Sequence, residues 1–169
     1  MEGFLFYLLA GAAALAAMLV IAVPNSLYSA LLLVVTFGCL AGIYLTLGAE
    51  FIAAMQVILY AGAIMVLFLF VIMLLHLGRE PRAPFRLLGQ KVMGTAVAAL
   101  LFGALSSALA AGVALGPRGP FSPERVKALG NTQAVGRLLL TDFLLPFEAT
   151  AVLLFVAIVG AVVLARRRL

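Results

Sequence analysis

The sequence predicts an all-α integral membrane protein with five transmembrane helices. Of its 169 residues, 66% are hydrophobic and only 10% are charged, whereas a soluble domain is about 25% charged. Five apolar runs divide the chain, and each is long enough to cross a hydrocarbon core of roughly 30 Å, which takes about 20 helical residues. A soluble fold of this length cannot bury so much apolar surface, so lipid must be the solvent.

The predicted helices follow one another with mostly short connections, and together they form a single transmembrane domain of residues 1–169. They cover residues 3–23, 27–48, 51–77, 87–115 and 143–165. Pro24-Asn25-Ser26 and Gly48-Ala49-Glu50 predict tight turns after the first two helices, because Pro and Gly interrupt regular helices.

The longest connection, residues 116–142, is predicted to be polar. It opens with three helix breakers, Pro117, Gly119 and Pro120. Within it, Ser122-Pro123 is typical of a helix start, with Ser as the N-cap and Pro at the first helical position. The run Leu138-Leu139-Leu140 predicts that the second half lies against the membrane interface or a partner.

The positive charges predict how the chain is oriented in a cell inner (plasma) membrane. Seven Lys and Arg residues fall on the side of the C-terminus and four on the other side. The seven are Arg79, Arg82, Arg86, Lys91, Arg166, Arg167 and Arg168, and the four are Arg118, Arg125, Lys127 and Arg137. Because Lys and Arg are enriched in cytoplasmic loops, we expect the C-terminus inside and the N-terminus outside. The positive charges are not accompanied by a basic face or an aromatic platform, so the sequence does not indicate nucleic-acid binding.

The composition argues against cofactor chemistry in this chain. There is one histidine, His76, and one cysteine, Cys39. One histidine cannot form a bis-histidine haem site, and one cysteine cannot hold an iron–sulfur cluster. No nucleotide-binding motif follows a predicted strand. We therefore predict no catalytic, cofactor-binding or metal-binding residue.

The third predicted helix carries the most informative polar residues. Gln56 and Tyr60 are four residues apart, so they share one helix face. Tyr60 follows Glu50 by ten residues, which places it roughly 15 Å deep, near the bilayer midplane. Ala61-Gly62-Ala63 follows directly, where the helix can be approached closely or distorted. Two interpretations are open: a tyrosine bonded to a neighbouring helix with Gly62 as a packing contact, or a polar, deformable point beside a hydrated path.

The third helix is also longer than a span requires. Its 27 residues would extend about 40 Å as a regular α-helix, some 10 Å more than the hydrocarbon core. The helix must therefore tilt, protrude or contain an irregular turn. Irregular turns of the π type occur often at functional sites.

Two carboxylates lie near predicted helix ends. Glu50 occupies the turn before the third helix, where a solvated negative charge near a helix N-terminus is favourable. Glu148 follows Pro146 at the start of the fifth helix, a little inside the interface. For Glu148 three roles are open: pairing with another subunit, favouring the helix N-terminus, or remaining hydrated.

The third helix resembles a known family. Residues 56–75, which read QVILYAGAIMVLFLFVIMLL, are similar to the signature helix of subunit J of proton-pumping NADH–quinone oxidoreductase, respiratory complex I. This subunit is called chain 10 in some bacteria and NADH dehydrogenase subunit 6 in mitochondria. Leu145-Pro146-Phe147-Glu148 and Pro24-Asn25-Ser26 resemble the same family, and the likeness extends over nearly the whole chain.

The resemblance implies a subunit without a redox centre. It would span the membrane arm near the quinone-binding junction, surrounded by other membrane-arm subunits and lipid. NADH, FMN, iron–sulfur clusters and quinone would belong to other subunits of the complex.

The resemblance also implies a gate in the third helix. A π-bulge around Tyr60–Val66 would interconvert with a regular helix and so open or close a hydrated proton connection. The gate would contain Tyr60, Gly62 and Val66. Glu148 would be a candidate residue of the proton path. Gln56 occupies a position where some relatives have a carboxylate, and an amide cannot titrate, which argues against direct proton carriage there.

The leading hypothesis is therefore a gating subunit of a redox-driven proton pump. The alternatives are a small secondary transporter or channel subunit and a purely structural scaffold. Few charged residues within the spans and no visible repeat argue against the transporter.

Overall fold

The computed structural model describes residues 2–75, 87–111, 126 and 128–166. These residues contain no strand, and five of their helices are long and apolar enough to cross a membrane. The prediction of an all-α membrane protein with five spans is confirmed. The predicted helix start at Ser122-Pro123, His76 and residues 112–115 lie outside the described part of the chain.

The first two spans form a helical hairpin. Helix α1 runs from Glu2 to Ala22 and helix α2 from Ser26 to Thr46. Asn25 is the N-cap of α2, and its side-chain oxygen accepts a hydrogen bond from the Leu27 N–H at 3.0 Å. The Ser29 hydroxyl donates to the Val20 carbonyl oxygen at 2.6 Å and ties α2 to the end of α1.

Small residues allow α1 and α2 to approach closely. Ala13, Ala16 and Ala30 are buried within this pair. A Cβ atom built at Gly42 would lie only 2.9 Å from the Cδ1 atom of Leu9, so a larger residue there would force the Leu9 side chain to move. Glycine and alanine are common at such helix contacts in lipid because they bring backbones together.

The second span ends at Thr46, two residues before the predicted end, because Gly48 adopts a left-handed backbone conformation with φ of +71°. The Gly48 N–H donates to the Leu45 carbonyl at 3.1 Å, and the Ala49 N–H donates to the Tyr44 carbonyl at 2.9 Å. These two bonds satisfy carbonyls that the helix end would leave unpaired, in the arrangement known as a Schellman motif. Glycine adopts the required conformation without a steric cost.

The third span is one continuous helix of 26 residues, Glu50–Leu75, and it contains an irregular central segment. It begins as helix α3, Glu50–Met55, continues as a π-helix, Gln56–Ile64, and ends as helix α4, Met65–Leu75. All three parts pack against α2. Of the possibilities for a helix of this length, the structure shows the irregular turn.

The other two spans stand apart from this three-helix group. Helix α5 covers Leu87–Ala110 and helix α7 covers Leu144–Ala165. Among the described residues, α5 packs against no other helix, and α7 contacts only a ten-residue helix α6, Asn131–Leu140. Most side chains of α5 and α7 therefore face lipid or other proteins.

The end of the predicted fourth helix needs correction, and the connection that follows it contains a further helix. The connection 116–142, predicted as polar, contains helix α6, whose apolar residues alternate with polar ones at helical spacing. The predicted fourth helix was extended to residue 115, but α5 ends at Ala110 and Ala111 is already in a turn.

Candidate functional site: the π-helix of the third span

The π-helix lies in the middle of the membrane span. It comprises nine residues, Gln56–Ile64, which lie roughly 9 to 21 Å along the helix from Glu50 if each residue rises about 1.5 Å. Its end is marked by the Met65 N–H, which bonds to the carbonyl of Tyr60, five residues back. A π-helix of this length is rare, and such segments are frequent at functional sites.

Gln56 begins the π-helix and is buried, with 8% of its surface exposed. The π-helix that it begins packs on α2. A carboxamide at this depth needs a hydrogen-bond partner or a water molecule to offset its desolvation. Because an amide both donates and accepts, Gln56 can order a water molecule without exchanging a proton with it.

Tyr60 lies at the centre of the π-helix. Its ring packs against Phe37 of α2, with 5.4 Å between the ring centroids and 55° between the ring planes. The side chain is 47% exposed, and its hydroxyl donates a hydrogen bond to none of the described residues. A phenol at this depth needs a partner, so the hydroxyl is available to another subunit or to water.

Gly62 makes its close contact within the π-helix itself. A Cβ atom built there would lie 3.2 Å from the carbonyl oxygen of Val57, closer than an ordinary van der Waals contact. No atom of another helix lies within 4 Å of that Cβ among the described residues. Gly62 therefore matters for the local backbone of the π-helix and not for contact with a neighbouring helix of this chain.

Val66 lies just outside the π-helix, in the first turn of α4. It lines an apolar groove of about 240 Å³ between the start of α2 and α4, together with Leu27, Leu31, Leu69, Phe70 and Met73. The irregular segment thus differs from the expected Tyr60–Val66 region: it begins four residues earlier, at Gln56, and ends before Val66.

Glu148 is not brought near the other four candidates. It is exposed in the second turn of α7, and α7 contacts neither α2 nor any part of the third span among the described residues. Its neighbour Pro146 is in the first turn of α7, where proline is tolerated. Among the described residues, neither α2 nor the third span therefore supplies a partner for the Glu148 carboxylate.

Sequence reasoning missed two residues that contact the third span. Phe37 supports the Tyr60 ring, and nothing in the apolar pattern of α2 distinguishes it. Asn131, the first residue of α6, accepts a hydrogen bond from the first turn of α3, 80 residues away. The only available signal was Ala49, which stands at the N-cap of α3 but has no side-chain oxygen to cap it.

Comparison with known proteins identifies the family. The family model described as NADH-ubiquinone/plastoquinone oxidoreductase chain 6 matches residues 5–164. The chain belongs to this family. It is 34% identical to the NADH-quinone oxidoreductase subunit J of Rickettsia bellii, covering 96% of this chain and 80% of the relative.

Other relatives of this family are similarly close. The subunit J of Rhodobacter capsulatus is 36% identical over 97% of this chain and 81% of its own length. The chloroplastic NAD(P)H-quinone oxidoreductase subunit 6 of Nephroselmis olivacea is 42% identical over 88% of this chain and 83% of its own length. Family members are subunits of a larger oxidoreductase, so this multi-pass membrane chain has other subunits of that complex as partners. The resemblance found in the sequence is confirmed.

Proposed function

We propose that this chain is a membrane-arm subunit of a proton-pumping NADH–quinone oxidoreductase and that its third span couples quinone reduction to proton translocation. The observation that carries the proposal is the π-helix Gln56–Ile64 at the centre of that span. Family membership favours this function over the transporter or channel alternative.

A π-helix can serve as a two-state element. If the segment became a regular α-helix, its bonds would shift from five residues back to four, and one residue would be released into the flanking helix. One residue corresponds to about 100° of rotation and about 1.5 Å of rise. The two conformations contain the same residues and differ in how the flanking helices are oriented, so a partner that prefers one of them shifts the equilibrium.

The two flanking helices differ in their freedom to rotate. All residues of α4 are apolar, so its rotation would bury no polar side chain, and the groove beside Val66 and Phe70 offers space. Both helices pack against α2, but only α3 also packs against α6, and α3 has Glu50 at its start. In the proposed mechanism α4 turns and α3 stays in place.

Rotation at the π-helix would change the surroundings of its two polar side chains. Gln56 is buried and Tyr60 is exposed. In the proposed mechanism, rotation of the helix would move these two side chains toward or away from water molecules of the proton path. Their role would be to orient water, because the Gln56 amide does not titrate. Glu148 would act separately, by pairing across an interface with another subunit.

The redox chemistry would reside in other subunits. NADH, FMN, iron–sulfur clusters and quinone are the cofactors and substrates that we assign to them. Within residues 2–75, 87–111, 126 and 128–166, no group of three or more His, Cys, Asp and Glu side chains is placed to hold a metal ion. We place the chain in the cell inner membrane with its N-terminus outside and its C-terminus inside.

Substitution of Gly62 tests the proposal. Gly62→Val presses a branched side chain onto the Val57 carbonyl and should disfavour the π-helix, so we expect an assembled complex whose NADH–quinone turnover and proton pumping both fall at least severalfold. The matched control is Gly38→Val in α2, because a Cβ there meets nothing within 4 Å. Measurements use the purified complex in proteoliposomes.

The turnover and pumping of the two variants decide whether the π-helix has a gating role. Impaired turnover and pumping in the Gly62 variant, with a normal Gly38 variant, supports a functional π-helix. Wild-type turnover and pumping in assembled Gly62→Val complex would remove the gating role from this chain.

A further inference from the structure

The third span begins without a cap of its own. Ala49 occupies the N-cap position of α3 and makes no side-chain hydrogen bond. The first backbone N–H groups of any helix have no partner within the helix, and leaving such a group unpaired near a membrane is costly. The start of this span therefore needs a partner from elsewhere in the chain.

Asn131 supplies that partner. Its side-chain oxygen accepts a hydrogen bond from the Phe51 N–H at 3.1 Å, and its side-chain nitrogen donates to the Gly48 carbonyl at 3.1 Å. One carboxamide thus bridges the last residues of the α2–α3 turn and the first turn of α3. An amide side chain offers a donor and an acceptor in one plane and can therefore make both bonds at once.

The carboxamide sits at a helix contact and not on a free loop. Asn131 is the first residue of α6, and α6 packs against α3. Each of these helices has a buried alanine close to its start, Ala134 in α6 and Ala53 in α3, with 4% and 3% of their surfaces exposed. Helix α6 also contacts α7, so the contact joins the last span to the start of the third.

We propose that Asn131 is a positioning residue that caps the third span from a distance and holds α3 against α6. Its effect on pumping rests on the function proposed above: with α3 held, a change in the π-helix is transmitted to α4. Without the Asn131 carboxamide, α3 can move, so a change in the π-helix would rotate α3 in part and α4 by less.

Hydrogen exchange in the purified complex tests the contact directly. In Asn131→Ala the Phe51 N–H loses its acceptor, and its exchange should become roughly 3- to 30-fold faster, the range expected for loss of a cap. The matched control is Asn25→Ala, which removes a local cap of the same chemistry from α2. It should speed exchange at Leu27 and leave residues 48–51 unchanged.

A second variant separates capping from anchoring. Asn131→Ala combined with Ala49→Ser places a hydroxyl at the N-cap, where it can accept from the first turn of α3 without binding α6. We expect Phe51 protection to return and the proton-to-electron ratio to stay below wild type, as in Asn131→Ala alone. If the single variant does not assemble, the double variant still reports on Phe51 protection.

Several outcomes would overturn the proposal. One is unchanged exchange at Phe51 in Asn131→Ala, and another is no recovery of protection in the double variant. A third is faster exchange with a wild-type proton-to-electron ratio, which would leave Asn131 as a cap without a role in coupling. The Gly62 experiment decides the proposed function independently, because Gly62 does not contact Asn131.

Discussion

At the scale of single residues, Tyr60 of the third span has a ring that packs against another helix and a hydroxyl that donates to none of the described residues. The Tyr60 ring rests on Phe37, a contact that belongs to packing. The Tyr60 hydroxyl makes no donor contact with the described part of the chain, so it is available for function. These two parts of one side chain can be separated by substitution.

Tyr60→Phe should impair pumping without disturbing assembly. The substitution retains the ring contact with Phe37 and removes only the hydroxyl, so a role in ordering water is lost while packing persists. We expect turnover and pumping to fall severalfold in proteoliposomes. Tyr28→Phe is the control, because Tyr28 lies exposed at the start of α2, away from the π-helix. Equal activity of the two variants would contradict a role for the Tyr60 hydroxyl.

Tyr60→Leu should be worse than Tyr60→Phe. It removes the ring as well, and an aromatic pair contributes about 0.5–1.5 kcal/mol beyond its buried area. We expect a lower yield of assembled complex, measured on native gels, in addition to the functional loss. Identical yields of the two variants would show that the contact with Phe37 does not stabilise the third span.

At the scale of secondary-structure elements, the turn between α2 and α3 determines where the third span starts. Gly48 ends α2 in a left-handed conformation, and its carbonyl is also the acceptor for the Asn131 amide. The same short turn thus terminates one span, orients the next and receives α6. The backbone conformation of Gly48 is needed for all three.

Gly48→Ala should loosen this turn. An L-residue in a left-handed helical conformation costs roughly 1–2 kcal/mol, so hydrogen exchange at residues 46–51 should accelerate by roughly 5- to 30-fold. Gly11→Ala is the matched control, since Gly11 has no positive φ and a Cβ there meets nothing within 4 Å. Exchange rates that do not differ between the two variants would refute the strain argument.

At the scale of the whole molecule, two of the five spans have few or no helix contacts among the described residues. Helices α1, α2 and the third span form one group, whereas α5 contacts no other described helix and α7 contacts only α6. Thr95 and Ser106 lie on α5, and hydroxyls of this kind commonly bond between helices in a membrane. We therefore expect α5 and α7 to pack against helices of other subunits.

Photo-crosslinking should reveal these neighbours. A photoreactive residue in place of Leu101 on α5 or Phe155 on α7, which are 66% and 67% exposed, should join this chain to other subunits of the complex. The same residue in place of Ala30, which is 3% exposed, should give crosslinks within the chain only. Exclusive crosslinking of positions 101 and 155 to lipid would contradict the expectation.

Most of the fold follows from composition and periodicity. Lipid leaves a backbone few choices besides the helix, so the five apolar runs predicted five spans, and the third helix was predicted to be longer than the hydrocarbon core requires. Gln56, Tyr60 and Gly62 were also found in the sequence, because polar and small residues are conspicuous in an apolar helix. The sequence could not decide between tilt, protrusion and an irregular turn, since all three accommodate the same length.

Local sequence therefore determined that the chain spans a membrane, how many times it does so, and which side chains stand out in the third span. Tertiary structure alone decided that the irregularity is a π-helix from Gln56 to Ile64, that Phe37 supports Tyr60, and that Asn131 caps α3. The physical reason is the sequence distance over which each feature is determined. Helix formation and membrane insertion depend on residues within a few turns, whereas the contacts of Phe37 and Asn131 join segments that only folding brings together.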